Sequence, residues 1–197
     1  MGIWNKFFGK KHSSKPEKSP YLPESEDPID IAFAKNFTKQ GGLFLYTDSS
    51  NLVQKNFSRI CQENNWQRGE VVCLNQNLSQ IFQTNFIDQT SGNLDQFRAI
   101  LIECEFLISN TGKILLSNHQ INHFKIKALP QTIIVIAKIN QITRDVSEGM
   151  TLLKNKYTTT IPSNITTLNI INTNYNNKKN QDEETKAKNI YLLLEDF

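Results

Sequence analysis

The sequence predicts an α/β domain with a mainly parallel central sheet and helices on both faces. Three observations carry this prediction. VVCL (71–74), RAILIEC (98–104) and TIIVIAKI (132–139) are continuous apolar runs, the pattern of strands covered on both sides. Segments of helical period alternate with them, as a layered α/β architecture requires. The 197 residues are 38% hydrophobic and 21% charged, which suits one core of about 170 residues once an irregular front end is set aside.

Residues 1–12 form a short amphipathic unit in which Ile3, Trp4, Phe7 and Phe8 cluster among lysines. Trp4, Phe7 and Phe8 are the candidate partner contacts. A single short basic helix gives only weak peripheral attachment to a membrane, so docking on protein is the favoured reading. Residues 13–29 carry Pro16, Pro20, Pro23 and Pro28 among Ser, Lys and acids, and read as a flexible linker. The domain is expected over 30–197.

Its first element is a helix with Ile31, Phe33, Ala34 and Phe37 on one face, stopped by Gly41-Gly42. LFLYT (43–47) reads as a buried strand. Asp48-Ser49-Ser50 then offers an N-cap for a helix bearing Leu52, Val53, Phe57, Ile60 and Cys61. VVCL, a helix around 78–82 and RAILIEC continue the alternation. FLI and KILL flank the corner Asn110-Thr111-Gly112-Lys113. A short element near 124–129 precedes TIIVIAKI, the strongest strand. A helix over about 143–156 follows, with Asp145 and Glu148 placed where the helix dipole favours acids. NITTLNII (164–171) and NIYLLLEDF (189–197) close the chain as strands.

The net charge is +3, and five lysines fall in the first twenty residues, so the domain proper is near neutral. No broad basic face for nucleic acid is implied. No apolar run approaches the roughly 20 residues of a membrane span. Cys61, Cys73 and Cys104 lack metal-knuckle or disulfide spacing and read as buried thiols of a reducing compartment. The start has too short an apolar stretch for a secretory signal, and Lys6 stands where a myristoylation motif takes Ser or Thr. A cytoplasmic protein is expected.

The candidate ligand-binding residues are Asn110, Thr111, Gly112 and Lys113, because a Thr-Gly corner between strands can present backbone N–H groups at a sheet end. Structural punctuation is the competing reading. His119 and His123, four apart, could share a helix face, but no third metal ligand stands at a recognisable spacing. Glu103 and Glu105, two apart, could share a strand face, and exposure near the strand end is the simpler reading. No catalytic residue, metal site or cofactor is assigned.

ECEFLISNTGKILLSN, ALPQTIIVIAKINQITRDVSEGMTLLKNKY, IPSNITTLNI and KNIYLLLEDF, in this order, resemble the LUD domain family of lactate-utilization proteins, in particular the small C subunit. FAKNFTKQGGLFLYTDSSNLVQ resembles the opening of compact members. The resemblance spans roughly 30–197. It implies a fold like that of the NagB, ribose-phosphate isomerase and CoA-transferase group. It also implies work beside the iron-sulfur and oxidase subunits of an L-lactate utilization system, since this chain lacks the cysteines to hold a cluster. Three positions depart from the family pattern. Asn110 stands where a carboxylate usually precedes the Thr-Gly, INTNYNNKKNQDEE replaces a Gly-Pro-Ser loop, and Thr185-Lys186-Ala187-Lys188 replaces a His-Gly-Pro turn. Two functions follow as expectations. One is a non-catalytic or accessory LUD protein, and the alternative is a small-molecule enzyme acting on an acyl or phosphorylated metabolite at the Thr111-Gly112 corner.

Overall fold

The structure is a computed structural model that describes residues 27–88, 93–170 and 187–196. The first helix, α1 (Ile29–Lys39), buries Phe33, Ala34 and Phe37 and stops where Gly41 takes φ +99°. The chain then runs through β1 (Leu43–Thr47), α2 (Ser50–Glu63), β2 (Val71–Cys73), α3 (Gln76–Phe82), β3 (Asn85–Phe86) and β4 (Ala99–Glu103). It leaves the main sheet for a hairpin, β5 (Phe106–Ile108) and β6 (Lys113–Leu116), and a one-turn helix α4 (Asn118–Ile121). It returns through β7 (Thr132–Lys138), leaves again through β8 (Ile142–Thr143) and forms α5 (Val146–Lys156). Two short strands, β9 (Thr166–Thr167) and β10 (Asn169–Ile170), precede the long closing strand β11 (Ala187–Glu195).

The large sheet has the order β1-β11-β7-β4-β2-β3, with β10 also on β11, and its pairs are parallel throughout. That is the predicted mainly parallel sheet. The period of two sorts its side chains between two cores. Ile100, Ile133, Val135, Leu192 and Leu194 pack with Phe33 and Phe37 of α1, whereas Leu101, Ile134, Ile136 and Leu193 pack under Phe57 and Ile60 of α2 and Phe82 of α3. A second sheet, in the order β8-β5-β6-β9, mixes antiparallel and parallel pairs. Its Leu107, Ile114 and Leu116 face the first core, while Ile108 and Leu115 pack with Leu153 of α5.

Three expectations are refined. LFLYT is an edge strand with Leu43 48% exposed, because β11 pairs with it on one side and no strand among the described residues pairs with it on the other. NITTLNII divides at the buried Leu168, giving one short strand to each sheet. The predicted helix over 143–156 starts at Val146, because Thr143 is taken by β8 and Asp145 Oδ1 caps the helix by accepting from Glu148 N at 2.9 Å. The first helix starts at Ile29. The amphipathic unit with Trp4, Phe7 and Phe8, and most of the linker, lie outside the described residues. No helix among the described residues is long and apolar enough to cross a membrane.

The two crossings out of the large sheet lie side by side. Gln141 Nε2 donates to the carbonyls of Cys104 (2.7 Å) and Glu105 (3.2 Å), and its Oε1 accepts from Lys138 N (2.7 Å). One amide therefore ties the β4–β5 crossing to the β7–β8 crossing.

Candidate functional site

Parallel strands place their carboxyl ends on one edge, and in open α/β sheets ligands enter there. In this chain that edge opens onto a cavity of about 350 Å3. One flank is made by strand ends. Glu103, Lys138 and Glu195 all follow the alternation that points toward α2 and α3, and Asn75, the N-cap of α3, completes the flank. Glu195 pairs directly with Lys138, and Glu103 pairs with Ile136, which leaves it diagonal to the lysine. Burial raises the Glu195 carboxyl above its ordinary pKa; Lys138 opposes the shift and the charge of Glu103 adds to it. The other flank comes from α4 and the end of α5, as His119, Gln120, Lys156 and Tyr157.

Behind that second flank lies Glu105, whose side chain is fully buried. It accepts from Ser117 Oγ (2.7 Å), Lys156 Nζ (2.8 Å), Gln120 Nε2 (3.1 Å) and Tyr157 OH (3.2 Å). Burial by itself would raise its pKa. The hydrogen bonds from Lys156, Ser117 and Gln120 and the Lys156 charge outweigh burial and hold the carboxyl below the usual range. Burial raises the Tyr157 phenol, so near neutral pH it is a proton-bearing donor to Glu105. Lys156 is 48% exposed and keeps ammonium protons for the cavity. The His119 ring rests 4.7 Å from the Tyr157 ring. One buried carboxylate thus sets the orientation of the cavity's second flank.

The corner lies at the other end of the same hairpin. Glu105 and Ser117 bracket its open end, and Asn110-Thr111-Gly112 forms the closed end, about 10–13 Å away at strand rise. The backbone there is engaged. Asn110 N donates to Arg144 O (2.9 Å) and Gly112 N to Ile108 O (2.8 Å). Asn36 of α1 donates to Ser109 O (2.8 Å), and Gln40 donates to Thr111 O. Gly112 has φ +65°, and a Cβ there would stand 2.4 Å from Phe37 N. The corner is therefore seated on α1. Lys113 is half-buried in the first pair of β6, opposite Ile108, and Asn110 is exposed. Thr111 Oγ1 is buried without a hydrogen-bond partner.

The two histidines do not share a helix face. Asn122 takes φ +51° and turns the chain after Ile121, so His123 stacks on Phe124 while His119 meets Tyr157. Among the described residues no group of three or more His, Cys, Asp or Glu could hold a metal ion. The three thiols are buried and free, and burial raises each of them, Cys73 to about 11.

A family model described as LUD domain matches residues 32–194, most of the chain. The chain belongs to the LUD domain family. Among solved structures it is similar to that of a DUF162 family protein from Deinococcus radiodurans, with a TM-score of 0.63 at 16% identity. The match covers 88% of this chain and 100% of that one, and at such identity it supports the fold. No curated protein matches the chain.

Within this LUD domain, sequence reasoning singled out the hairpin's closed end and missed its open end. The sequence reading has one or both of Glu103 and Glu105 exposed near the strand end. In the structure Glu103 is the exposed one, and Glu105 turns inward because β4 and its strand alternation end at Glu103. A signal was available in Ser117-x-x-Gln120, a capping box that fixes two of the four donors to Glu105. Nothing local in the sequence marks Lys156 and Tyr157 as their companions.

Proposed function

We propose that this LUD-domain chain is a non-catalytic, cytoplasmic accessory factor related to L-lactate utilization, working beside iron-sulfur and oxidase subunits that carry the electrons. The observation that supports this reading is the seating of the corner on α1. Asn110 replaces the carboxylate that could serve as base or nucleophile, and the N–H groups of Asn110 and Gly112 are spent inside the fold. A corner so engaged is suited to holding the hairpin in place. Co-expression with the iron-sulfur and oxidase subunits of a lactate-utilization system tests the proposal. A stable complex is expected, with no turnover by the isolated chain. Robust turnover by the isolated chain without a stable partner would overturn it.

A second reading keeps the corner as the site of an enzyme acting on an acyl or phosphorylated metabolite. Its specific support is the partnerless hydroxyl of Thr111, a polar group that a ligand atom could satisfy. Replacing Asn110, Thr111 and Lys113 with alanine would then abolish the thermal shift given by such metabolites, and an unchanged shift would count against it.

A further inference from the structure

The carboxyl-edge cavity presents two unlike poles, and neither has been used by the function proposed above. On the strand-end flank, Glu103, Glu195 and Lys138 sum to one negative charge. Among the described residues no hydrogen bond or ion pair within 4 Å engages these three side chains, although all three line the cavity. The rise in the Glu195 pKa has the same origin, a carboxylate drawn from water with another acid nearby. The helix flank is of opposite kind. Lys156 spends one proton on Glu105 and keeps others for the cavity, and exposed His119 stands on the Tyr157 ring with no hydrogen bond to its nitrogens among the described residues. The two glutamines lining the space are consumed internally, Gln120 by Glu105 and Ser117, Gln141 by three backbone groups. They shape the walls and leave recognition to the charged groups. The floor supplied by Ile136 and Ala137 is apolar.

We propose that this cavity is a binding site for a small zwitterion of the α-amino-acid type. Its ammonium would lie against Glu103 and Glu195, and its carboxylate would lie against Lys156 and His119. A volume of about 350 Å3, at the small end of ligand sites, leaves room for an α-amino acid together with its side chain. The two flanks differ in kind, and this fixes the ligand's direction: carboxylates not engaged elsewhere meet the ammonium, while Lys156, already paired with Glu105, and His119 offer their remaining polar hydrogens to the carboxylate in a partly dried site. A carboxylate alone would face the net negative strand ends, and an amine alone would leave the lysine–histidine flank unanswered. The site is separate from the Asn110 corner, so it stands or falls independently of the accessory role.

The test uses the full chain and calorimetric titration with the common L-α-amino acids. For L-alanine the matched half-molecules are propionate and ethylamine, and L-lactate is the hydroxyl analogue. At least one amino acid should bind, with its matched half-molecules at least about tenfold weaker. Glu195→Gln and Glu103→Gln should each weaken that amino acid about tenfold or more, and His119→Ala should weaken it while leaving the thermal midpoint within about 2 °C of wild type. These three residues are exposed or half-exposed and make no buried hydrogen bond, so the variants are expected to fold. Lack of binding by every amino acid would overturn the proposal. So would equal binding of L-lactate and L-alanine, or binding indifferent to both glutamate variants. Loss of a complex with lactate-utilization subunits, by contrast, would leave this result untouched.

Discussion

Ser117 Oγ lies 2.7 Å from Glu105 Oε1, and this bond closes the open end of a hairpin whose other end is locked onto α1 by Gly112. The carboxylate involved is fully buried and collects four side-chain donors. Its removal strands all of them. Glu105→Ala should destabilise the domain by about 2–3 kcal/mol, below the usual cost of breaking a buried pair because Lys156 is half-exposed and can turn to water. Urea unfolding of the variant measures this, and a loss under about 0.5 kcal/mol would contradict the organising role given to Glu105.

The same group predicts an acid-sensitive step. Its folded pKa is depressed, so its contribution is fully present above the unfolded value of about 4.3 and is lost as the pH falls through the folded value. The unfolded state binds the proton first, so stability falls as acid is added. Between pH 5 and pH 3 the urea midpoint of wild type should fall more steeply than that of Glu105→Gln, which carries no titrating group there. Parallel curves would refute the assignment.

Gly112→Ala tests the closed end of the hairpin. The substitution places a Cβ at φ +65° and 2.4 Å from the Phe37 amide, where the helix backbone cannot yield cheaply. A loss of about 3 kcal/mol or more is expected, with faster amide exchange along α1 as the specific mark.

Phe57 anchors α2 to the large sheet, fully buried with its ring 5.1 Å from that of Phe82. Phe57→Ala should cost about 3–5 kcal/mol. Because Phe57 and Glu105 share no packing or hydrogen-bond partner among the described residues, the effects of Phe57→Ala and Glu105→Ala should add in the double variant to within about 0.5 kcal/mol.

Cys73 and Cys104 should react slowly with a disulfide reagent in the native state. Both thiols are buried and burial raises them, so little thiolate is present near neutral pH. Rapid labelling of either without denaturant would show that the strand ends open far more readily than the packing implies.

The large sheet was legible because each of its central strands is apolar on both faces, so β4, β7 and β11 announced themselves as continuous runs. The helix α5 was legible from its apolar face, but its start was placed near Thr143 because the Asp145 cap was read only as an acid favoured by the dipole. The second sheet was less legible. Its β8 and β9 are two residues each, too short to show alternation, and they exist because β5 and β6 offer them edges. The site was least legible of all. Glu105 gains its meaning from Lys156 and Tyr157, about fifty residues away, and no spacing rule reaches that far. The Thr-Gly corner drew notice for backbone N–H groups it could present at a sheet end, but those of Asn110 and Gly112 are taken inside the fold and Gly112 abuts the backbone of α1.

The stapling of the two crossings by Gln141 has a mechanical consequence. The chain passes from the large sheet to the small one at two neighbouring points, and one side chain rivets both. The sheets are therefore coupled like two leaves on a common pin. Any relative movement near the cavity is a swing about that line, and sliding would require breaking the rivet first. The cavity sits beside the pin, and the hairpin's far end is seated on α1, so a swing wide enough to change the cavity's dimensions would first have to unseat Asn36 and Gln40 from the corner.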